Sequence, residues 1–299
     1  MARFKNKVLK NIKLRLVAFD SFSTRSMATF VETKKAKIFI DPGIAIAPNR
    51  YGLPPTKQEL LKLEQSRKQI MNLSRRADIV TISHYHFDHH PFYDDLQFNK
   101  AVYEGKIVYA KNPEKNINYS QKKRAAVFES IASKLAKKLE WCDGKSFEHV
   151  RFSQPVWHGV EKSRLGFVVM TIINEKDETL IHTSDVQGPI AKKTRDLIIE
   201  EDPSVIILGG PPTYFLGWRF SFKDLNKALN NVISIMQRTR VKTIIIDHHL
   251  VRDKHYKERF SKAFAFAEHL GVSLITAAEF NGEEPLLLEA RRDELSRKN

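Results

Sequence analysis

The chain is poor in the features that would tie it to an oxidising compartment or to a membrane. It has one cysteine, Cys142, so an internal disulfide is excluded and a reducing, cytoplasmic setting is the natural expectation. It has no apolar run approaching the roughly 18 residues that a membrane-spanning helix needs. Its first ten residues carry charge without the apolar stretch of a secretory leader. Acidic residues are also in deficit. Against 35 Asp and Glu stand 50 Lys and Arg, a formal charge of +15. That balance points to an anionic substrate or partner, nucleic acid among them, although a lysine-rich surface also serves solubility or high-temperature life. Glycine and proline, 12 of each in 299 residues, form no linker or low-complexity stretch, and no repeat is visible. With 42% hydrophobic residues the chain can bury a large core, and residues 1–299 read as one domain.

Histidine, by contrast, is concentrated. Asp78 to Ile82 reads as a buried strand, and the next residues are Ser83-His84-Tyr85-His86-Phe87-Asp88-His89-His90. The histidines therefore fall on the loop at a strand's C-terminal end, where α/β proteins place ligands. His84 and His86 share one side of an extended segment and can hold one metal ion. Asp88 and His89, after the chain turns, face a second.

Other chemistry-bearing residues also stand at predicted strand ends. Lys37–Ile40, which follows an alternating strand expected over Ile12–Phe19, ends at Asp41-Pro42-Gly43. In the second half His158 follows Val156-Trp157, Asp185 follows Leu180–Ser184, and His248 follows Thr243–Asp247. Strands are expected at Lys106–Ala110, Phe147–Val156, Phe167–Asn174, Thr179–Thr183, Val205–Leu208, Val241–Ile246 and Val272–Ile275. Helices are expected from Thr56 towards Leu73, over Ser120–Leu139 with a basic face of Lys122, Lys123, Arg124, Lys134, Lys137 and Lys138, and over Ala191–Glu200, Lys223–Arg238 and Tyr256–Leu270. A helical tail over Glu283–Asn299, mobile at its last residues, closes the pattern.

The run His84-x-His86-x-Asp88-His89, followed in order by His158, Asp185 and His248, resembles the metallo-β-lactamase-fold superfamily over about Phe19 to Arg252. The phrases Ile40-Asp-Pro-Gly, Thr183-Ser-Asp-Val-Gln-Gly-Pro and Gly209-Gly-Pro-Pro-Thr-Tyr are similar to those of a mainly archaeal family of predicted metal-dependent hydrolases. The resemblance implies an α/β, four-layered αββα sandwich. It implies that His84, His86 and His158 hold one ion, that Asp88, His89 and His248 hold another, and that Asp185 bridges them. Two divalent ions are expected, Zn²⁺ first, with Mn²⁺ or Fe as alternatives. A hydroxide bridging them would be the nucleophile, with Asp88 orienting it. Asp41 would hold a ligand histidine without touching metal.

Departures narrow the superfamily. A cysteine usually stands in true metallo-β-lactamases where this chain has Asp185, and a glutamate in flavodiiron proteins where it has His86. The stretch between Asp185 and His248 is already needed for two helices and two strands, so a β-CASP insertion is absent. His248 is preferred over His249 as the last ligand, because Asp247 to Arg252 resembles a segment of the tRNA 3′-processing enzymes. The Gly209–Arg219 loop should border the metals, making Tyr214 and Arg219, then Arg25 and Tyr85, candidate contacts to an anionic group. The expected activity is hydrolysis of a phosphodiester or phosphoester. Lactone or thioester hydrolysis is the alternative within enzymes, and a non-catalytic nucleic-acid-binding protein the alternative outside them.

Overall fold

The computed structural model describes residues 9–297. The charged segment preceding Leu9 and the last two residues of the tail lie outside the described residues. Two six-stranded sheets face each other, with helices on both outer surfaces. In the first sheet β1 (Lys13–Phe19), β2 (Met27–Glu32) and β3 (Lys37–Ile40) form an antiparallel meander. It continues in parallel through β4 (Ile79–Ile82), β5 (Ile107–Ala110) and β6 (Lys138–Trp141). Between these strands run α1 (Lys57–Ser74), α2 (Leu96–Tyr103) and α3 (Tyr119–Leu135).

The second half supplies β7 (Arg151–Phe152), a small ribbon of β8 (Val156–Trp157) and β9 (Phe167–Val168), then β10 (Thr171–Glu175) and β11 (Glu178–His182). After α4 (Lys192–Glu200) come β12 (Val205–Gly209), α5 (Phe222–Arg238) and β13 (Thr243–Asp247). The chain then passes through α6 (Tyr256–Arg259), α7 (Ser261–Leu270), β14 (Ser273–Ile275), α8 (Ala277–Phe280) and α9 (Arg292–Leu295). The second sheet has the order β14-β13-β12-β11-β10-β7, parallel from β11 to β14.

Strand periodicity explains the layering. Ile38 and Ile40 point inward with Val205, Ile207 and Ile245, so the two sheets share a core. Phe39, Val80 and Val108 point outward under Ile70, Phe98 and Phe128 of the first helical layer. Ile206, Ile244 and Ile246 point outward under Ile198, Leu229 and Val232 of the second. Strands buried on both faces must be apolar throughout, as β12 and β13 are. The expected αββα sandwich is therefore the observed one.

Local expectations differ in several places, among them the strand expected over Phe167–Asn174, which divides into β9 of the ribbon and β10 of the second sheet. The helix expected to Leu139 stops at Leu135, because the chain must return to pair β6 with β5; Lys137 and Lys138 leave the helix. The strand expected over Phe147–Val156 divides around Pro155, which has no N–H for a ladder, into β7 and β8 of different sheets. The helix expected over Tyr256–Leu270 breaks at the buried Phe260. The tail is not one helix. Its first part is irregular, and Arg292, fully buried, donates to Glu59 Oε1 at 2.8 Å and to the carbonyls of Ala47 and Leu53. The tail thereby fastens α1, whose N-terminus Thr56 and Glu59 close with a capping box.

Candidate metal centre

β1, β3 and β4 run in one direction, as do β11, β12 and β13, and the loops leaving their C-terminal ends converge. One group of ligand atoms comprises His84, His86, His158 and Asp185, a second Asp88, His89 and His248, and a third Asp185, His248 and His249; within each, the atoms lie within 4.8 Å of one another. Asp185 stands between the groups. Its Oδ2 is 3.2 Å from His158 Nε2 and 3.6 Å from His84 Nε2, and its Oδ1 is 3.2 Å from the Nε2 of both His89 and His248.

The donor set fits divalent cations. Buried His89 Nε2 and Asp185 Oδ1 lie 3.2 Å apart, and neither makes a hydrogen bond among the described residues, an arrangement that a cation would complete. Burial, with His158 and the charge on Arg124 beside it, pushes His86 down to about 3, and burial with the neighbouring imidazoles holds His84 well below 6.5. Both are therefore neutral and able to ligate. Burial would also depress His89, but Asp185 and Asp41 overcome it and raise that residue well above 6.5. A cation among these groups would take the place of that proton.

Carboxylates behind the imidazoles set which nitrogen faces inward. His89 Nδ1 donates to Asp41 Oδ2 at 2.8 Å, and Asp41 also accepts from the Ser83 amide at 2.8 Å. His248 Nδ1 donates to Asp20 Oδ2 at 2.7 Å. Each leaves its Nε2 facing Asp185. Asp41, at φ 46°, and His248, at φ 62°, hold left-handed conformations that side chains rarely adopt, and the surrounding hydrogen bonds fix them. A Cβ on Gly43 would lie 2.0 Å from the His90 amide nitrogen, so the Asp-Pro-Gly turn is a seat against which the histidine loop closes.

His249 is near but differently held. Its Nε2 is 3.4 Å from Asp185 Oδ2, while its Nδ1 accepts from Arg252 Nη1 at 3.1 Å. A guanidinium only donates, so the proton of this imidazole sits on Nε2, and that nitrogen has no lone pair to offer. Burial and the charge of Arg252 keep the ring neutral, at about 3. Arg252 is buried too. Its Nε donates to Asp20 Oδ1 at 2.5 Å, and its Nη2 lies 3.4 Å from Asp88 Oδ2 and 3.2 Å from His248 Nε2. The second ligand group therefore already includes a guanidinium.

The predicted substrate contacts fare unevenly. Tyr214 reaches the centre, its hydroxyl 3.3 Å from His249 Nδ1. Arg219 is exposed and stacks on Trp218 at 4.1 Å. Arg25 is engaged by a two-pronged pair with Glu289, at 2.7 and 2.6 Å, so its charge is already neutralised. Tyr85 is fully buried, its hydroxyl donating to the Lys111 carbonyl, and faces the core. Asp20 and Arg252 escaped assignment from sequence. The signal was there for Asp20, an aspartate ending β1 as Asp41 ends β3.

No protein-family model matches the chain. Among solved structures, the metallo-beta-lactamase fold protein YhfI from Bacillus subtilis superposes with a TM-score of 0.54 at 12% identity, covering 89% of this chain and 96% of that one. The isothiocyanate hydrolase from Delia radicum gut bacteria gives 0.53 at 15% identity, covering 85% and 94%. These likenesses show the metallo-β-lactamase fold. Sequence relatives are far closer. The UPF0282 protein of Methanopyrus kandleri is 43% identical over 291 residues, covering 94% of this chain and 97% of the relative. Those of Thermococcus gammatolerans and Methanocaldococcus jannaschii are 44% and 41% identical, covering 94% and 95% of this chain and 94% and 96% of theirs. Identity at this level along nearly the whole length places the chain in the UPF0282 protein family of archaea.

Proposed function

We propose that the protein is a dinuclear metal-dependent hydrolase, with residues 1–299 serving as one domain and a phosphodiester or phosphoester as substrate. The observation that carries this reading is the convergence of unpartnered His89 Nε2 and Asp185 Oδ1 among four further imidazoles on a carboxylate-backed loop edge. Two divalent ions there, Zn²⁺ or failing that Mn²⁺ or Fe, would supply Lewis-acid charge and lower the pKa of a water near 7. His84, His86, His158 and Asp185 would hold one, and Asp88, His89, His248 and Asp185 the other.

The chain's own groups do the rest. Asp20 and Asp41 keep His248 and His89 in one tautomer and one orientation. Arg252 ties Asp88, Asp20 and His249 into one rigid unit, so these groups do not reorganise when substrate arrives. The Nε2–H of His249 donates to Asp185 Oδ2 at 3.4 Å and so steadies that carboxylate. Two dications against the two carboxylates Asp88 and Asp185 leave the centre positive, which favours an anionic substrate and an acyl or phosphoryl group that gains negative charge. The phosphorylated class is preferred because the chain's net charge of +15 draws in anions, which a neutral lactone would not exploit.

The test is metal analysis of the purified protein, followed by chromogenic phosphodiesters, phosphomonoesters, lactones and thioesters with Zn²⁺ or Mn²⁺. Chelator-sensitive cleavage of a phosphoester is expected. Hydrolysis of lactones or thioesters alone would replace the substrate class, and salt-dependent nucleic-acid binding without cleavage of any ester would replace the enzyme.

A further inference from the structure

Four arginines flank the candidate centre, and two have their charge spent on a carboxylate, Arg25 on Glu289 and Arg252 on Asp20. Arg124 has no carboxylate partner among the described residues; its Nε donates to the Tyr85 carbonyl and it lies over the single ring of Phe87. Arg50 is the one held between two rings. It has no carboxylate partner among the described residues; its Nη2 donates to the Arg252 carbonyl at 3.1 Å and lies 3.3 Å from the Tyr51 hydroxyl. Its Nε is buried and without an acceptor.

The guanidinium is nevertheless fixed. It lies between two rings, 4.6 Å from the centroid of Tyr51 and 4.7 Å from that of Tyr214. Tyr214 in turn is nearly parallel to the His249 ring, with centroids 6.4 Å apart and planes inclined by 25°. A column thus rises from Asp185 through His249 and Tyr214 to Arg50 and Tyr51. The loop carrying Arg50 is pinned at Arg50 and Leu53 by paired backbone hydrogen bonds, and by Arg292, which donates to the Ala47 and Leu53 carbonyls. A cation held this firmly and without a counter-charge is what recognition of an oxyanion requires.

We propose that Arg50, clamped between Tyr51 and Tyr214, forms a distal anion subsite that takes a second phosphate of the substrate while the scissile group sits at the metal centre. This rests on the phosphoester reading of that centre. The subsite makes the preferred substrate a bisphosphate or an oligonucleotide rather than an isolated phosphoester. Since Arg50 lies two rings away from Asp185, it contributes to binding and leaves the reacting bonds alone, so its removal changes KM and spares kcat.

Calorimetric binding to the metal-loaded protein tests this, with each probe checked by chromatography to be intact after titration. The probes are thymidine 5′-monophosphate, thymidine 3′,5′-bisphosphate and the base-free 1,4-butanediol bisphosphate. The wild type is expected to bind the thymidine bisphosphate about tenfold tighter than the monophosphate, the scale of one charge-assisted contact. Arg50→Gln should abolish that difference and leave monophosphate affinity within about twofold. Arg50→Lys should restore part of it, and Tyr51→Leu, which removes one wall, should reduce it with the core intact. Equal gain from the base-free bisphosphate marks a general bisphosphate site; gain from the nucleotide alone marks a nucleic-acid fragment. A wild type indifferent to the second phosphate, or an Arg50→Gln protein that keeps the preference, overturns the subsite. If no phosphoester is cleaved yet the Arg50-dependent preference stands, the fault lies in the reaction assigned to the centre.

Discussion

Asp20 Oδ2 accepts the Nδ1 proton of His248 at 2.7 Å, a contact that joins the end of β1 to the end of β13 across the two sheets. It fixes the imidazole so that Nε2 faces Asp185. Asp20→Ala is therefore expected to weaken binding of one of two ions by about 10- to 100-fold while the other binds as before. Titration of the metal-free protein with Zn²⁺ measures both. Two unchanged affinities would show that His248 keeps its orientation without Asp20.

The two adjacent histidines should separate cleanly. Because Arg252 Nη1 donates to His249 Nδ1, His249 offers a proton where His248 offers a lone pair. Elemental analysis should find about one ion fewer per chain in His248→Ala and no loss in His249→Ala. The reverse result would exchange the two assignments.

The two ligand groups should also fill in order. His84, His86, His158 and Asp185 form a four-donor set, whereas the Asp88, His89 and His248 set shares its space with the Arg252 guanidinium. A cation entering the second set must push against that charge. Stepwise titration should show a tighter first ion, and brief chelation should strip the second ion first. Two indistinguishable sites would mean that the guanidinium swings clear at no cost.

Gly43 admits no side chain. The Cβ of Gly43→Ala would stand 2.0 Å from the His90 nitrogen and 2.3 Å from the His89 carbonyl carbon, both backbone atoms that cannot rotate away. A loss of about 1–3 kcal/mol in stability is expected, together with weakened metal binding, since the displaced loop carries four of the seven candidate donors, His84, His86, Asp88 and His89. Thermal melting with and without Zn²⁺ reads both effects. Wild-type behaviour in the two measurements would mean that the turn and the histidine loop can part without consequence.

The pair of Arg25 with Glu289 sets an acid limit on stability. Burial would raise the Glu289 carboxyl, but the Arg25 hydrogen bonds and charge outweigh it and hold the group below its ordinary 4.5. A depressed carboxylate stabilises the fold at pH above its unfolded value and loses that contribution as pH falls through the folded one. Glu289→Gln should therefore cost about 1 kcal/mol at pH 7 and progressively less below pH 4.5. Denaturation midpoints across pH 3–7 provide the check, and a deficit that does not shrink in acid would assign the loss to packing.

Much of the candidate centre was legible because its His and Asp residues announce themselves twice, by residue type and by position at the end of an apolar strand. His84 and His86 after β4, Asp185 after β11 and His248 after β13 all have that form. The layering was legible too, since β12 and β13 are apolar on both faces. What sequence hid were partnerships set by tertiary approach. Arg25 looks as free as Arg50 in the chain, and only the fold brings Glu289 to one and two tyrosine rings to the other. Helix α2 was missed because Leu96–Tyr103 is short and follows the turn-rich Pro91–Asp95; its cap comes from Asp95, which Arg67 of α1 holds at 2.7 Å.

The segment preceding α9 bears on how the centre is built in time. Leu286 donates its amide to the Ser21 carbonyl, Leu288 donates to Ser23 Oγ, and the Ala277 amide donates to Asp247 Oδ2. Asp20 and His248 are thus braced by residues synthesised after both. During translation all donors of the four-ligand group have been made once Asp185 is added, whereas the brace on the other group is made with the last few dozen residues. The two groups are therefore completed in sequence: a chain paused after β12 contains every donor of one and lacks His248 of the other.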